Sequence, residues 1–98
     1  MNMKKKSILD NASMLIDGER AKDYGPALLN HERIADGWNV IVKSAMEKHG
    51  ELLPSHVAMM MAWVKIARLC NTKDHQDSWI DLVAYGALGG EFSEEEDK

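Results

Sequence analysis

Residues 54–70 read PSHVAMMMAWVKIARLC. The run opens on Pro54, which suits the first turn of a helix, and the adjacent Ser55 has the side chain of an N-cap. Val57, Ala58, Met59, Met60, Met61, Ala62, Trp63, Val64, Ile66, Ala67 and Leu69 leave almost no polar face. The stretch is too long for an ordinary strand and shows no alternation, so it reads as a helix. A helix that is apolar on nearly every side has to be buried on most of them. In a chain of 98 residues only a central helix could achieve this alone. A contact with another copy, covering its second face, is the simpler solution, and the three consecutive methionines supply adaptable packing for it.

The punctuation on either side sets off three further pieces. Gly18, Gly25-Pro26, Gly50, the polar run from Asn71 to Asp77, and Gly89-Gly90 are the breaks. A helix is expected over 7–17, with Ile8, Ala12, Leu15 and Ile16 on one stripe. A second is expected over 26–49, with Leu28, Leu29, Ile34, Ala35, Trp38, Ile41, Val42 and Ala45 at helical spacing. The last is expected over 77–88, carrying Trp79, Ile80, Leu82, Val83, Tyr85 and Leu88. No piece alternates as a strand does. The fold class is all-α, a four-helix bundle-like domain over 1–90 completed by homo-oligomerisation.

Composition narrows the setting. With 45% hydrophobic residues the chain can bury a core, but a thin one. No apolar run reaches the roughly 20 residues of a membrane span. The start, MNMKKK, imitates the basic end of a secretion signal, but Asp10, Asn11 and Asp17 interrupt the apolar stretch a signal requires. A single cysteine, Cys70, allows no internal disulfide and fits a reducing compartment, so a cytoplasmic protein is expected. Cys70, at the end of an apolar helix, reads as a small core residue. The net charge of −4 comes entirely from 91–98, EFSEEEDK, leaving 1–90 with 11 bases and 11 acids. That segment reads as a mobile acidic tail. Since the body is neutral, the overall acidity does not oppose an anionic ligand, although direct nucleic-acid binding is not expected.

Two clusters of polar residues interrupt the apolar pattern. Lys65 and Arg68 lie three apart within the most hydrophobic helix, and Asp77 and Asp81 lie four apart on the next. One reading is an interhelical ion-pair cluster, since buried cations need partners. The other makes the same residues the floor of a site, with cations for phosphate or carboxylates for a divalent metal. The second cluster spans 19–32. There Arg20, Lys22 and Tyr24 lead through Gly25 into a helix start, followed by Asn30, His31 and Glu32. A helix N-terminus presents unpaired N–H groups and a positive dipole end, which suits an anion. Tyr24 could stack on a base, and Asn30 and His31 could hydrogen-bond a ligand. Glu32 and Asp36, four apart, read either as a second acid pair able to hold Mg²⁺ with Asp77 and Asp81 or as a solvated face. Phosphate-loop, dinucleotide, zinc and nucleophile-elbow motifs are absent from the sequence.

The set Arg20…Tyr24-Gly25, Asn30-His31…Ile34-Ala35…Trp38, Val57…Met60-Met61…Lys65…Arg68 and Asp77…Asp81…Tyr85 resembles a family of small phage and prophage proteins of unassigned function. Its layout is also similar to the MazG-like all-α nucleoside triphosphate pyrophosphohydrolases. That resemblance implies a helical oligomer that holds Mg²⁺ on acidic motifs of two helices and cleaves the α–β phosphate link. It implies Glu32, Asp77 and Asp81 as catalytic residues and Glu32, Asp36, Asp77 and Asp81 as metal ligands. Arg20, Lys22, Tyr24, Asn30, His31, Lys65, Arg68 and Tyr85 would then hold the nucleotide. The sequence departs from the enzymes' acid spacing, with Ala35 three after Glu32 and Ser78 three before Asp81. Two alternatives stand beside the enzyme: a non-catalytic phage protein that sequesters a nucleotide immune signal, and a structural or protein-interaction module.

Overall fold

The computed structural model describes residues 4–18, 22 and 25–98, and among these it is all-α, with four helices and no strand. They are α1 (Lys5–Asp17), α2 (Ala27–His49), α3 (Pro54–Asn71) and α4 (Gln76–Glu96). Helix α3 is central, with α2 on one side and α4 on the other; α1 packs on no other helix of the described residues.

The α2–α3 pair is held by two indoles. Trp38 Nε1 on α2 donates to the Met60 carbonyl on α3 at 2.8 Å, and Trp63 Nε1 on α3 donates to the Arg33 carbonyl on α2 at 2.8 Å. Running the helices antiparallel sets 38 opposite 60 and 33 opposite 63. Each ring buries apolar surface between the helices, and its single polar atom finds a backbone acceptor. Gly37, buried in the middle of α2, makes room for one of them: a Cβ there would fall inside the Trp63 ring. Glycine in a helix interior costs about 1 kcal/mol relative to alanine, so its presence in α2 reflects this close approach.

The α3–α4 hairpin is close because its contact residues are small. Gly89 lets α4 lie against Ala58, where an added Cβ would stand 3.1 Å from the Ala58 Cβ. The turn between the helices is built on His75, whose Nδ1 accepts from the Ser78 N–H at 3.2 Å and the Ser78 hydroxyl at 2.8 Å. This caps α4 and satisfies Ser78, which is fully buried.

Several expectations are corrected in detail. Leu53, not Ser55, occupies the N-cap of α3, with Pro54 at the first helical position. His56 supplies the cap instead, its Nδ1 accepting the Leu53 N–H at 3.0 Å. Cys70, at the end of α3, is exposed rather than buried. Gly89-Gly90 does not end α4, which continues through the acidic residues to Glu96. The segment 91–98 therefore begins as helix, and Glu96 is tied to α3: its carboxylate accepts the Ser55 N–H at 2.8 Å and the Ser55 hydroxyl at 2.5 Å. Two glycines that weaken α4 on propensity alone are accommodated by this anchor beyond them.

Helix α3 is also less covered than its composition demands. Ala58, Ala67 and Leu69 are buried, but Val57 and Met59 are exposed. Among the described residues the buried apolar side chains are Ala45, Ala58, Ala67 and Leu69. The radius of gyration is 16.2 Å, against about 13 Å for a compact chain of this length. No helix of the described residues is long and apolar enough to cross a membrane.

Candidate functional site

The segment leading into α2 is tied to the end of α3, the helix that carries Lys65 and Arg68. Asn71, the last residue of α3, donates from Nδ2 to the Lys22 carbonyl at 3.2 Å and to the Thr72 hydroxyl at 3.1 Å. Gly25 follows with φ of 71°, and a Cβ on it would stand 2.5 Å from Asn71 Oδ1. Glycine meets both demands, the left-handed backbone and the close approach. The result brings Lys22 and the start of α2 to the end of α3, one turn beyond Arg68. The short turn through His75 places the start of α4 at the same end. Two helix N-termini, from α2 and α4, thus flank the end of α3, and their orphan N–H groups and dipoles favour an anion.

Within this region Lys65 and Asp81 form an ion pair at 3.1 Å across α3 and α4, the lysine side chain 18% exposed and the aspartate 46%. The interhelical pairing read from the sequence is realised for these two residues. Arg68 is half-buried one turn along from Lys65, and Asp77 is exposed in the first turn of α4. Asn30, 4% exposed, sits one turn into α2 with its Oδ1 buried and without a hydrogen-bond partner. A buried amide oxygen left unpaired costs about 1–3 kcal/mol, so this atom marks a place where a donor is wanted. His31 is exposed and turned onto its own helix, its Nδ1 2.6 Å from the Ala27 carbonyl.

The remaining assignments are placed less favourably. Glu32 and Asp36 are exposed on α2. Among the described residues no three His, Cys, Asp or Glu side chains come together to hold a metal ion, so Glu32, Asp36, Asp77 and Asp81 are not gathered within one chain. Tyr85 is half-buried one turn beyond Asp81 and faces clefts toward the opposite end of the hairpin. Arg20 and Tyr24 lie outside the described residues.

That opposite end holds a group the sequence reading missed. A cleft of about 380 Å³ between the start of α3 and the end of α4 is bordered by His49, Ser55, His56, Tyr85 and Glu96. The two imidazoles stand with centroids 5.3 Å apart and planes tilted by 54°. The Ser55 hydroxyl, donating to the carboxylate, holds Glu96 below the usual carboxylate range. The Ser55 N–H and the nearby His56 and His49 act in the same direction, while burial opposes them. Ser55 and Glu96 are 41 residues apart, so no local spacing could reveal the pair.

An all-helical fold around a central hairpin, with polar residues at one end, is the class of protein these observations define. The chain belongs to the family described as a domain of unknown function, DUF6378, whose model matches residues 7–93. Among curated relatives it is similar to the Gene 55 protein of Mycobacterium phage L5, at 43% identity over 82 residues, covering 84% of this chain and 49% of that protein. It is also similar to the Gene 55 protein of Mycobacterium phage D29, at 37% identity over 89 residues, covering 91% of this chain and 55% of that one. The chain therefore spans about half the length of the curated relatives it matches. No solved structure matches it.

Proposed function

We propose that the protein binds a phosphorylated, nucleotide-type small molecule at the end of the fold where Lys22 and the start of α2 lie against the end of α3, with Asn30, Lys65 and Arg68 as its further contacts. The observation that carries this reading is the Asn71 tie to the Lys22 carbonyl, which brings Lys22 and the start of α2 onto the end of α3. Phosphate oxygens are pure acceptors, and the donors at this end are helix N–H groups, Lys65 and the Arg68 guanidinium, beside the carboxylates of Asp77 and Asp81. The unpaired Oδ1 of Asn30 is an acceptor and suits a different part of the ligand, an exocyclic amine or a sugar hydroxyl.

The MazG-like resemblance extends the proposal to hydrolysis with Mg²⁺. Such chemistry needs several carboxylates around one metal. Within one chain Asp81 is engaged by Lys65, and no three ligands converge among the described residues. The donor set of the single chain does not fit the metal, so no catalytic step is derived through it. Binding without turnover, as in sequestration of a nucleotide signal, requires none of these acids.

The test is native mass spectrometry of the full chain incubated with nucleoside triphosphates and Mg²⁺ or Mn²⁺, with pyrophosphate measured in the same samples. Intact nucleotide retained on the protein supports binding alone. Released pyrophosphate supports the hydrolase. Neither bound nucleotide nor pyrophosphate across the four common ribonucleotides and their deoxy forms overturns the proposal.

A further inference from the structure

Two apolar surfaces of the described residues are left uncovered. One is an open groove of about 370 Å³ on the α3–α4 hairpin, whose lining includes Pro54, Val57, Met61, Tyr85, Leu88 and Phe92. The other is a stripe of α1. Ile8, Leu9, Ala12, Leu15 and Ile16 recur at helical spacing on one side of that helix, and Asp10 and Asp17 fall on the other. Helix α1 packs on no other helix, and Ile8, Leu9, Leu15 and Ile16 are exposed. We infer that α1 is the cover of the groove. In solution it folds back along the hairpin of its own chain, its apolar stripe against α3 and α4 and its lysine end beside the acidic end of α4.

Three observations favour α1 as the occupant. The first is register. Val57, Met61, Val64, Arg68 and Asn71 stand four, three, four and three apart, so they share one stripe of α3. Asn71, at the end of that stripe, holds the Lys22 carbonyl. The chain that follows α1 is thereby fixed on the side of α3 that the groove occupies. The second is reach. The five steps from Asp17 to Lys22 span up to about 18 Å, and the ten residues from Met61 to Asn71 rise about 15 Å along α3. Asp17 can therefore stand level with Met61. From there the stripe from Ile16 to Ile8 covers about 12 Å, and the groove from Met61 to Pro54 about 10 Å.

The third is charge. In this direction α1 lies antiparallel to α4, and Lys4, Lys5 and Lys6 arrive beside the acids from Glu91 to Asp97, which Lys98 alone offsets within that segment. Each of these two helix ends carries the wrong sign for its own dipole. The first turn of α1 has no acid, and the last turn of α4 has no base. Setting one against the other supplies cations to the negative end of α4 and carboxylates to the positive end of α1. Asp10 and Asp17, on the far side of α1, stay away from the acidic segment.

Hydroxyl-radical footprinting of the full chain tests the inference, with sedimentation velocity on the same sample. Leu88 and Leu29 are 44% and 42% exposed, and Ile16 and Ile80 are 69% and 63% exposed, so each like pair should label alike if α1 stands free. The expected result is a monomer in which Leu88 and Ile16 are labelled about threefold less than Leu29 and Ile80. Leu15→Glu, on the stripe, should raise Leu88 to the level of Leu29, whereas Met14→Glu, off the stripe, should leave it protected. Both changes lie on a helix outside the α2–α4 packing, so neither removes a contact that holds the hairpin. Equal labelling within either pair in the unmodified chain overturns the inference. So does protection of Leu88 that survives Leu15→Glu, or that Met14→Glu abolishes equally. Protection found only in a dimer overturns it as well, since the cover would then come from a second copy.

Discussion

Replacing Gly37 by alanine sets two physical effects against each other. On propensity alone the change should stabilise α2 by about 0.8–1.0 kcal/mol, because alanine is the better helix former. The structure gives the opposite sign. A Cβ at position 37 would occupy the space of the Trp63 ring, and Gly37 is itself buried against α3. Overpacking of this kind costs about 1–3 kcal/mol. Displacing the ring also strains or breaks the 2.8 Å bond from Trp63 Nε1 to the Arg33 carbonyl, which contributes about 0.5–1.5 kcal/mol. The balance is a net loss of about 1–3 kcal/mol. For a chain of about 100 residues each kcal/mol moves the melting midpoint by about 4–8 °C, so the drop should be on the order of 10 °C. Thermal melts followed by circular dichroism at one fixed protein concentration measure it. A Trp63→Phe change in the same background removes the polar atom and part of the bulk, and should return some of the loss. A Gly37→Ala midpoint equal to or above that of the parent would refute the packing described for α2 and α3.

Other perturbations follow from individual contacts. Glu96→Gln should lower the melting midpoint at pH 7. Because the folded carboxyl is held below its ordinary value of about 4.3, its stabilisation is present above that value and is lost as the pH falls through the lowered one. The gap between Glu96→Gln and the parent should therefore close in melts taken below pH 4, and a gap that widens with acid would contradict the Ser55 tie. His75→Ala removes the cap of α4 and leaves buried Ser78 short of a partner, so urea titration should show a loss of about 1–2 kcal/mol. Lys65→Met keeps the aliphatic packing and deletes the pair with Asp81, a change of about 1 kcal/mol or less; a collapse of the fold in this variant would show that the pair had been undervalued.

The helical class was legible because the pattern of residues 54–70 admits no other reading, and Gly50 and Pro54 mark the start of α3 with chemistry that acts locally. The far end of α4 was not legible in the same way. Gly89-Gly90 breaks an isolated helix, and only the contact of Gly89 with Ala58 and the Glu96 anchor on Ser55, both made across the hairpin, keep α4 intact. Ser55 illustrates the same limit, since its N-cap character is spent on a glutamate 41 residues away. At the site, the sequence placed Lys65 and Arg68 opposite Asp77 and Asp81 because two cations and two carboxylates stand on consecutive apolar helices, and the structure pairs Lys65 with Asp81. The meeting of Lys22 with Asn71 could not, since a side-chain bond to a loop carbonyl leaves no trace in composition. The acid pairs Glu32–Asp36 and Asp77–Asp81 show the converse: spacing puts each pair on one helix face, but α2 and α4 make no contact with each other.

Lys22 offers the most direct test of the binding account, because its link to Asn71 runs through the backbone carbonyl and survives a change of side chain. Isothermal titration calorimetry of a nucleoside triphosphate into the full chain and into Lys22→Glu measures it. The account predicts saturable binding to the parent, weakened at least tenfold by the charge reversal in a variant that keeps its helical circular dichroism signal. No heat of binding to the parent, or equal affinity in the two proteins, would contradict it.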